Sequence, residues 1–587
     1  MAPVLVGLYV TTAVVGGILP VLVAWLTKRM LDELVAGTST DQAIVLGSAL
    51  GLSGMGMGLL PHAATFLREC LDRKVGLVAQ TRLFGALELV VGLAPFESPA
   101  FLDRLRMAKG SGARSAVQLL DALLSVTRSL ITLIGFLGTL LVIAPTLTVF
   151  LALFGVPALV AEISLARSRA TLMWKVTGIE RREFFYDQLL SGADAAKEIR
   201  IFGTGSFLKE RLLADRRGIN ALRAALDRRA LTVQVILGAV AACVAGAGLV
   251  WCAVSARNGD ISVGDVTVLV AAITAVEATF AQCAAQIATM HEVSVLFENY
   301  NEVIRSRSDL PVAEDPKPVG PLRDCIEMRD VWFRYDDSHD WILRGVNLKI
   351  TAGQCLALVG LNGAGKSTVV KLLCRFYDPT SGSMHWDGVD FRDIDVTELR
   401  ERMAAVFQDY MHYEMTAREN IAMGDITTLD DLPRVQEAAG RAGIAKKIEL
   451  LPDRYDTLLS RMFAPESEPE GAGVALSGGQ WQRLALARSF IRRNADFVML
   501  DEPSAGLDPT AEHEIHQSLV NFRRGKTSLL ISHRLGAVRD ADRIVVLTDG
   551  RISEDGTHEG LVSEGGVYAE LFRVQAAGYT EQESVGK

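Results

Sequence analysis

This chain of 587 residues has no excess of basic residues: 60 Lys and Arg stand against 69 Asp and Glu, a net charge of −9. That balance argues against a nucleic-acid partner. Its seven cysteines (Cys70, Cys243, Cys252, Cys283, Cys325, Cys355 and Cys374) form no Cys-x-x-Cys pair and do not cluster with His. Several lie in apolar or strand-like runs, where cysteine acts as a small buried hydrophobe. Neither disulfides nor a cysteine metal site are expected, and the second half belongs in a reducing compartment. A basic region before the first apolar run is also missing. Met1 to Leu26 is apolar almost from the start and too long for a signal-peptide core, so it reads as a membrane span. No internal repeat is visible, and proline concentrates in one place, Pro311, Pro316, Pro318 and Pro321.

Apolar residues, by contrast, are abundant. They make up 49% of the chain, and the mean hydropathy of +0.25 is high for a soluble protein. The length calls for several domains. The long apolar runs fill only the first half. Six segments there are long enough to cross a bilayer as helix: roughly Val4–Leu26, Ala43–Phe66, Leu119–Ile143, Leu147–Ala166, Leu231–Val254 and Val263–Val295. Trp25 with Lys28 and Arg29 anchors the first at an interface. Two connections are long and basic, Leu67–Gln118 and Arg167–Ala230, and the others are short. Basic loops favour the cytoplasmic side, so both long loops and both termini are placed there. Phe184–Leu190 and Phe207–Leu213 keep helical spacing, which extends the membrane helices into the cytoplasm. The domain reading is residues 1–304 as membrane domain, 305–325 as linker, 326–575 as an α/β domain and 576–587 as a polar tail.

The strongest motif is Gly360-Leu361-Asn362-Gly363-Ala364-Gly365-Lys366-Ser367-Thr368. A strand-like run, Cys355–Val359, precedes it and a helix-compatible run follows, the context a phosphate-binding loop needs. Its glycines allow a tight turn that aims backbone N–H groups at phosphate oxygens, and the new helix adds its positive dipole end. Lys366 supplies a point charge for the outer phosphates and Ser367 a hydroxyl for Mg²⁺. Downstream, Phe497–Glu502 reads as an apolar strand ending in two acids. Asp501 is placed to hold the metal, through water, and Glu502 to act as general base on the attacking water. Leu476-Ser477-Gly478-Gly479-Gln480 opens an amphipathic helix. By itself it reads as a capped helix without ligand rather than as an anion-binding helix start.

Together with Gln408, Asp508 and His533, these motifs come in the order and at about the spacing of the ATP-binding cassette family. With six spans ahead of the cassette, nearly the whole chain resembles an exporter-type half-transporter. The resemblance implies an α-helical six-span membrane domain followed by an α/β P-loop ATPase domain, the type IV exporter fold. It implies ATP and Mg²⁺ as cofactors and a second half-transporter as partner. A homodimer is sufficient, since both halves of the site look intact, and a heterodimer stays open. The resemblance gives Tyr335 the role of stacking on adenine, against the plainer reading of a strand aromatic in the core. Gly360, Asn362, Gly363, Ala364, Gly365, Lys366, Ser367 and Thr368 cradle the phosphates. Gln408 touches Mg²⁺ alongside Ser367 and Asp501, and His533 contacts the γ-phosphate. Ser477, Gly478, Gly479 and Gln480 bind nucleotide held by the other subunit, and Asp508 crosses the dimer interface. Phe96–Phe101 resembles the first coupling helix, and Ala193–Phe202 falls where the second is expected.

Some positions depart from the family's pattern. Ser504-Ala505-Gly506-Leu507-Asp508 differs from the usual Ser-Ala-Leu-Asp, which bears on cross-talk between sites. The stretch 462–474 before the signature is longer than usual, the amphipathic helix often found before the first span is missing, and no cysteine-protease domain precedes the spans. The chain is therefore not expected to cleave a leader peptide. In the spans, Glu277 with Thr274 and Gln282 is a candidate for facing a central cavity or, equally, for pairing between helices. One acid there suggests cationic or amphipathic cargo. Thr127, Arg128 and Glu162 are expected near the interfaces. The implied activity is ATP-driven export of a peptide, lipid or amphipathic small molecule across the cytoplasmic membrane by alternating access. The chain would be multi-pass in the bilayer, with a cytoplasmic cassette. Import by the same fold, and a soluble cassette acting on nucleic acid or ribosomes, are the competing readings.

Overall fold

The computed structural model describes residues 3–37, 40–258, 261–306, 308–460, 473–503, 509–532 and 535–574. It divides into two units, Met1–Glu88 with Pro99–Ser306, and Leu89–Ser98 with Arg307–Lys587.

The first unit is built on long helices: α1 (Pro3–Ala36), α2 (Thr40–Glu88), α3 (Ala113–Ile143), α4 (Pro145–Ser191), α5 (Gly205–Asn258) and α6 (Val263–Arg305). Each expected span lies inside one of them. Pro145 explains the sharpest break. It takes the first position of α4, where its missing N–H costs nothing, and only Ala144 separates α3 from α4. Among the described residues, α1, α2, α3, α5 and α6 carry windows of mean hydropathy 1.7 to 2.3, long enough to span a bilayer. The fourth expected span falls in α4, where many side chains lie outside the described residues.

Small residues and buried polar links join these helices. A Cβ on Gly17 of α1 would lie 2.9 Å from the Arg128 carbonyl of α3, so glycine permits that close approach. Thr132 donates to the Gly17 carbonyl at 2.9 Å, and Trp25 Nε1 to Thr139 at 3.0 Å. Lys28 pairs with Asp265, while the Asp32 carboxylate accepts from the Gly264 N–H at 3.0 Å. Asp265 also completes a capping box with Ser262 that starts α6. Phe136, Leu140, Cys252, Leu269 and Ile273 form a shared apolar core of α3, α5 and α6.

The second unit holds two sheets. Strands β1 (Cys325–Phe333), β2 (Leu343–Thr351), β4 (Ser381–Trp386) and β5 (Val389–Asp390) form an antiparallel sheet in the order β2-β1-β4-β5. The other sheet contains β3 (Cys355–Val359), β6 (Met403–Val406), β7 (Phe497–Asp501), β8 (Thr527–Ile531), β9 (Arg543–Thr548) and β10 (Arg551–Gly556), ordered β10-β9-β3-β8-β7-β6. Only the β9–β10 pair in it is antiparallel. Continuous apolar strands suit a parallel sheet covered on both faces, and β7 and β8 are buried at every residue. Because β3, β6, β7 and β8 run the same way, the residues that follow them emerge at one edge. That edge is where ligands bind in such sheets.

Leu89–Ser98 clusters with this second unit although α2 and α3 flank it. Its Leu93 N–H donates to the Phe376 carbonyl at 3.1 Å, and Arg400 donates to the Val91 carbonyl at 2.9 Å.

Candidate active site

The phosphate-binding sequence turns directly out of β3 and into α7 (Lys366–Leu373). A Cβ on Gly360 would lie 2.3 Å from the Leu547 carbonyl of the adjacent strand, so the loop passes where no side chain fits. Gly365, at φ 105°, makes the left-handed turn that starts the helix. Lys366 folds back over the loop and donates to the carbonyls of Gly360 at 2.7 Å and Leu361 at 3.0 Å. Burial lowers the pKa of its amine, and the nearby carboxylates of Glu502 and Asp501 oppose that shift.

The acidic pair ends β7. Asp501 is buried and hydrogen-bonds the Ser367 hydroxyl. Burial, followed by the charge of Glu502, pushes its pKa up to about 6, and Lys366 acts the other way. Glu502 has φ 49°, a conformation that L residues seldom adopt and that persists only where the surroundings hold it. Its N–H donates to Ile531 at 2.9 Å, and its carboxylate accepts from Gln408 Nε2 at 3.0 Å. Gln408 follows β6 by two residues. The sheet therefore brings Lys366, Ser367, Gln408, Asp501 and Glu502 together from three parallel strands.

The donor set fits Mg²⁺. Ser367 and Asp501 offer oxygen ligands already in contact, and burial leaves Asp501 short of positive charge. Among the described residues no group of three His, Cys, Asp or Glu is gathered as a cage. Mg²⁺ carried in with phosphates needs none, since it keeps waters and phosphate oxygens as ligands.

Tyr335 lies just beyond β1, part-exposed. It is edge-on to Phe333 and Tyr377, with ring centroids 5.0 and 5.2 Å away. Its hydroxyl is 3.4 Å from Thr368 of the phosphate loop, and Lys371 Nζ sits 5.0 Å from its ring. Ser477 caps α8 (Gly478–Phe490) through a reciprocal box with Gln480, its N–H donating to Gln480 Oε1 at 3.0 Å. Ser477 and Gly478 are exposed. Among the described residues no hydrogen bond joins Ser477–Gln480 to Gly360–Thr368. Asp508 and His533 lie outside the described residues, as do residues 461–472 of the unusual stretch before the signature.

Some residues at the site carried no motif. Gln482 is buried in α8, and its amide donates to the Pro503 carbonyl at 2.8 Å, tying the signature helix to the Glu502 turn. Tyr410 donates to the Gly478 carbonyl at 3.0 Å. Lys371 bridges the Tyr335 ring to Glu97 at 2.7 Å, and Tyr377 donates to the same carboxylate at 2.5 Å. Burial alone would raise the Glu97 pKa, but these two hydrogen bonds outweigh it and hold the group low. The family-like string around Phe96 pointed to this segment. Nothing in sequence spacing pairs Glu97 with a lysine hundreds of positions away.

A family model described as ABC transporter matches residues 343–505, the stretch from β2 through the Glu502 turn. That stretch is an ABC transporter domain. With it the chain binds ATP, and it is an ATPase coupled to transport across a membrane. It is similar to the subtilin transport ATP-binding protein SpaT of Bacillus subtilis, 27% identical over 95% of this chain and 90% of that one. An ATP-dependent lipid A-core flippase of Alkalilimnicola ehrlichii is 40% identical over 45% of this chain, which spans only 42% of that relative's length. A solved bacterial Atm1-family ABC exporter with ATP bound superposes with a TM-score of 0.80, at 24% identity, over 96% of this chain and 98% of that one. That likeness establishes the fold: a helical membrane domain followed by an α/β nucleotide-binding domain. The transporter is a multi-pass membrane protein with its ATPase domain on the cytoplasmic side.

Proposed function

We propose that this ABC transporter works as an exporter of an amphipathic peptide, lipid or small molecule, as a dimer with two composite ATP sites. The observation that carries the proposal is the Glu502 site. A buried acid, a loop lysine and a carboxylate held by Gln408 converge at one sheet edge, while among the described residues the Ser477–Gln480 start of α8, exposed at Ser477 and Gly478, makes no bond to the phosphate loop of its own cassette. A second subunit's signature would complete each site, and this chain would do the same for its partner; a copy of this chain suffices. ATP then favours the closed pair of cassettes over the open pair, and that difference in affinity drives the switch.

In the hydrolytic step, the Glu502 carboxylate takes a proton from water as the water oxygen bonds to the γ-phosphorus. The bond from that phosphorus to the β,γ-bridging oxygen breaks, leaving ADP and phosphate. Lys366 and the loop N–H groups hold the outer phosphates, and His533 contacts the γ-phosphate. Tyr335 stacks on adenine, and Asp508 acts across the dimer interface. Mg²⁺ would be held by Ser367, Gln408 and Asp501 and would neutralise phosphate charge. The activities named for the similar proteins, subtilin transport and lipid A-core flipping, support outward movement of amphipathic cargo.

The test is Glu502→Gln in the full-length protein in liposomes. The variant should bind ATP, accumulate as an ATP-closed dimer and hydrolyse it about 10²–10⁴-fold more slowly. Near-normal turnover would remove Glu502 as the base. ATP-driven accumulation of cargo outside inside-out vesicles, rather than within them, would reverse the direction.

A further inference from the structure

The first unit holds an open cavity of about 510 Å³ lined by α1, α2, α3 and α6. That size suits a small ligand or the head of a larger one. Arg128, within α3, lines it.

The charges in this cavity do not cancel. Asp121 has both carboxylate oxygens engaged: Tyr9 donates to Oδ1, and Arg68 lies 3.2 Å from Oδ2. Arg68 and Asp121 neutralise each other. Arg128 also lines the cavity, and among the described residues no carboxylate pairs with its guanidinium. Next to it, Ser129 also lines the cavity; the residue is 3% exposed and its buried Oγ has no hydrogen-bond partner. A lone guanidinium and an unused buried hydroxyl are donors waiting for an acceptor, in a setting where charge is costly unless it serves a function. Thr279 and Gln282 of α6 complete the polar side, while Met57, Leu60 and Leu124 give an apolar one.

We infer that this cavity is a binding site for the anionic head group, phosphate or carboxylate, of an amphipathic molecule. The planar guanidinium fork of Arg128 matches two oxygens of such a group, and Ser129 donates to a further one. The apolar wall takes the adjoining part of the tail. The inference deepens the export reading and rests on it for its physiological meaning. It runs against the cationic cargo suggested by Glu277, whose side chain lies outside the described residues.

The test is equilibrium binding, without ATP, to the full-length dimer in nanodiscs. The probes share one tail: dodecyl phosphate, laurate, dodecylphosphocholine and dodecyltrimethylammonium. Dodecyl phosphate or laurate should bind at least tenfold more tightly than the cationic probe. Tighter binding of the phosphate assigns the site to phosphate heads, and tighter binding of laurate assigns it to carboxylates. Arg128→Gln should weaken the anionic probe about tenfold, whereas Arg128→Lys, which keeps the charge, should stay within about threefold. Basal ATPase activity should be unchanged in both, which shows that they fold. Equal or tighter binding of dodecyltrimethylammonium, or an Arg128→Gln variant that binds the anionic probe normally, overturns the site. ATP-driven movement of the bound probe across vesicles is read separately. A chain that binds dodecyl phosphate but never moves it sinks the export reading and leaves the site standing.

Discussion

The two units use the same apolar residues against opposite surroundings. In the second unit they point inward: Phe497 and Leu529 are 0% exposed in the central strands. In the first unit they point outward as well: Ile134 is 69% exposed and Val142 77%. Such faces would be a liability in water but are the ordinary surface of a helix in hydrocarbon. Polar groups follow the reverse rule. In the first unit, Asp121, Asp265 and Asp32 are tied across helices. In the second, Asp501 is held in a buried site where its charge is disfavoured. The difference teaches that apolar burial organises the cassette, whereas close backbone approach and satisfied polar links organise the membrane helices.

The sharpest break concerns chemistry rather than packing. Glu502→Gln should lower turnover about 10²–10⁴-fold while leaving the membrane unit and ATP binding intact, as read by ATPase and nucleotide-binding assays. Next comes the packing contrast itself. Phe497→Ala, in the buried β7, should destabilise the cassette by about 3–5 kcal/mol. Ile134→Ala, on the outward face of α3, should change stability by less than about 0.5 kcal/mol. Thermal unfolding of both variants in the same detergent checks the pair, and equal losses would erase the contrast.

A smaller effect separates function from stability at Asp501. Its folded pKa of about 6 lies above its ordinary value of 3.8. The folded state therefore holds the proton more tightly than the unfolded chain. The stability that comes with protonation is fully present below the unfolded pKa and is lost as pH rises through about 6. Asp501→Asn should thus stabilise the nucleotide-free protein at pH 7.5 by on the order of 1–3 kcal/mol, with the gain shrinking as pH falls below about 6 and gone only below about 3.8, although it abolishes hydrolysis. A pH-independent difference in melting temperature would count against this account. The smallest expected effect is at Glu97. Glu97→Gln loosens the bonds from Lys371 and Tyr377, with a loss of about 1 kcal/mol. Basal ATPase activity should hold, while stimulation by cargo falls several-fold; unchanged stimulation would leave Glu97 a purely structural anchor.

Much of the active site was legible beforehand because its parts are local. Gly360–Thr368 carries its own turn, charge and hydroxyl within one loop. Phe497–Glu502 announces a strand that ends in acids, and Ser477 with Gln480 announces a capped helix start. Gln482 and Tyr410 were not legible, because their roles are bonds to backbone carbonyls far along the chain. Glu97 was hidden because its partners, the Lys371 and Tyr377 side chains, lie far along the chain. The place of Arg128 on a cavity was hidden because apolar runs do not show which helix faces meet.

The sequence by itself determined the two solvents, the strand–loop–helix at Lys366 and the family's motif order, since each depends on neighbours within a few residues. Only the tertiary structure decided that Leu89–Ser98 belongs with the cassette, that Gln408 holds Glu502, and that Arg128 and Ser129 open into one cavity. Those facts depend on which strands lie parallel and on which faces of long helices meet. A shift of one residue in register or a quarter-turn of a helix changes both, and such placement is set by the packing of the whole unit.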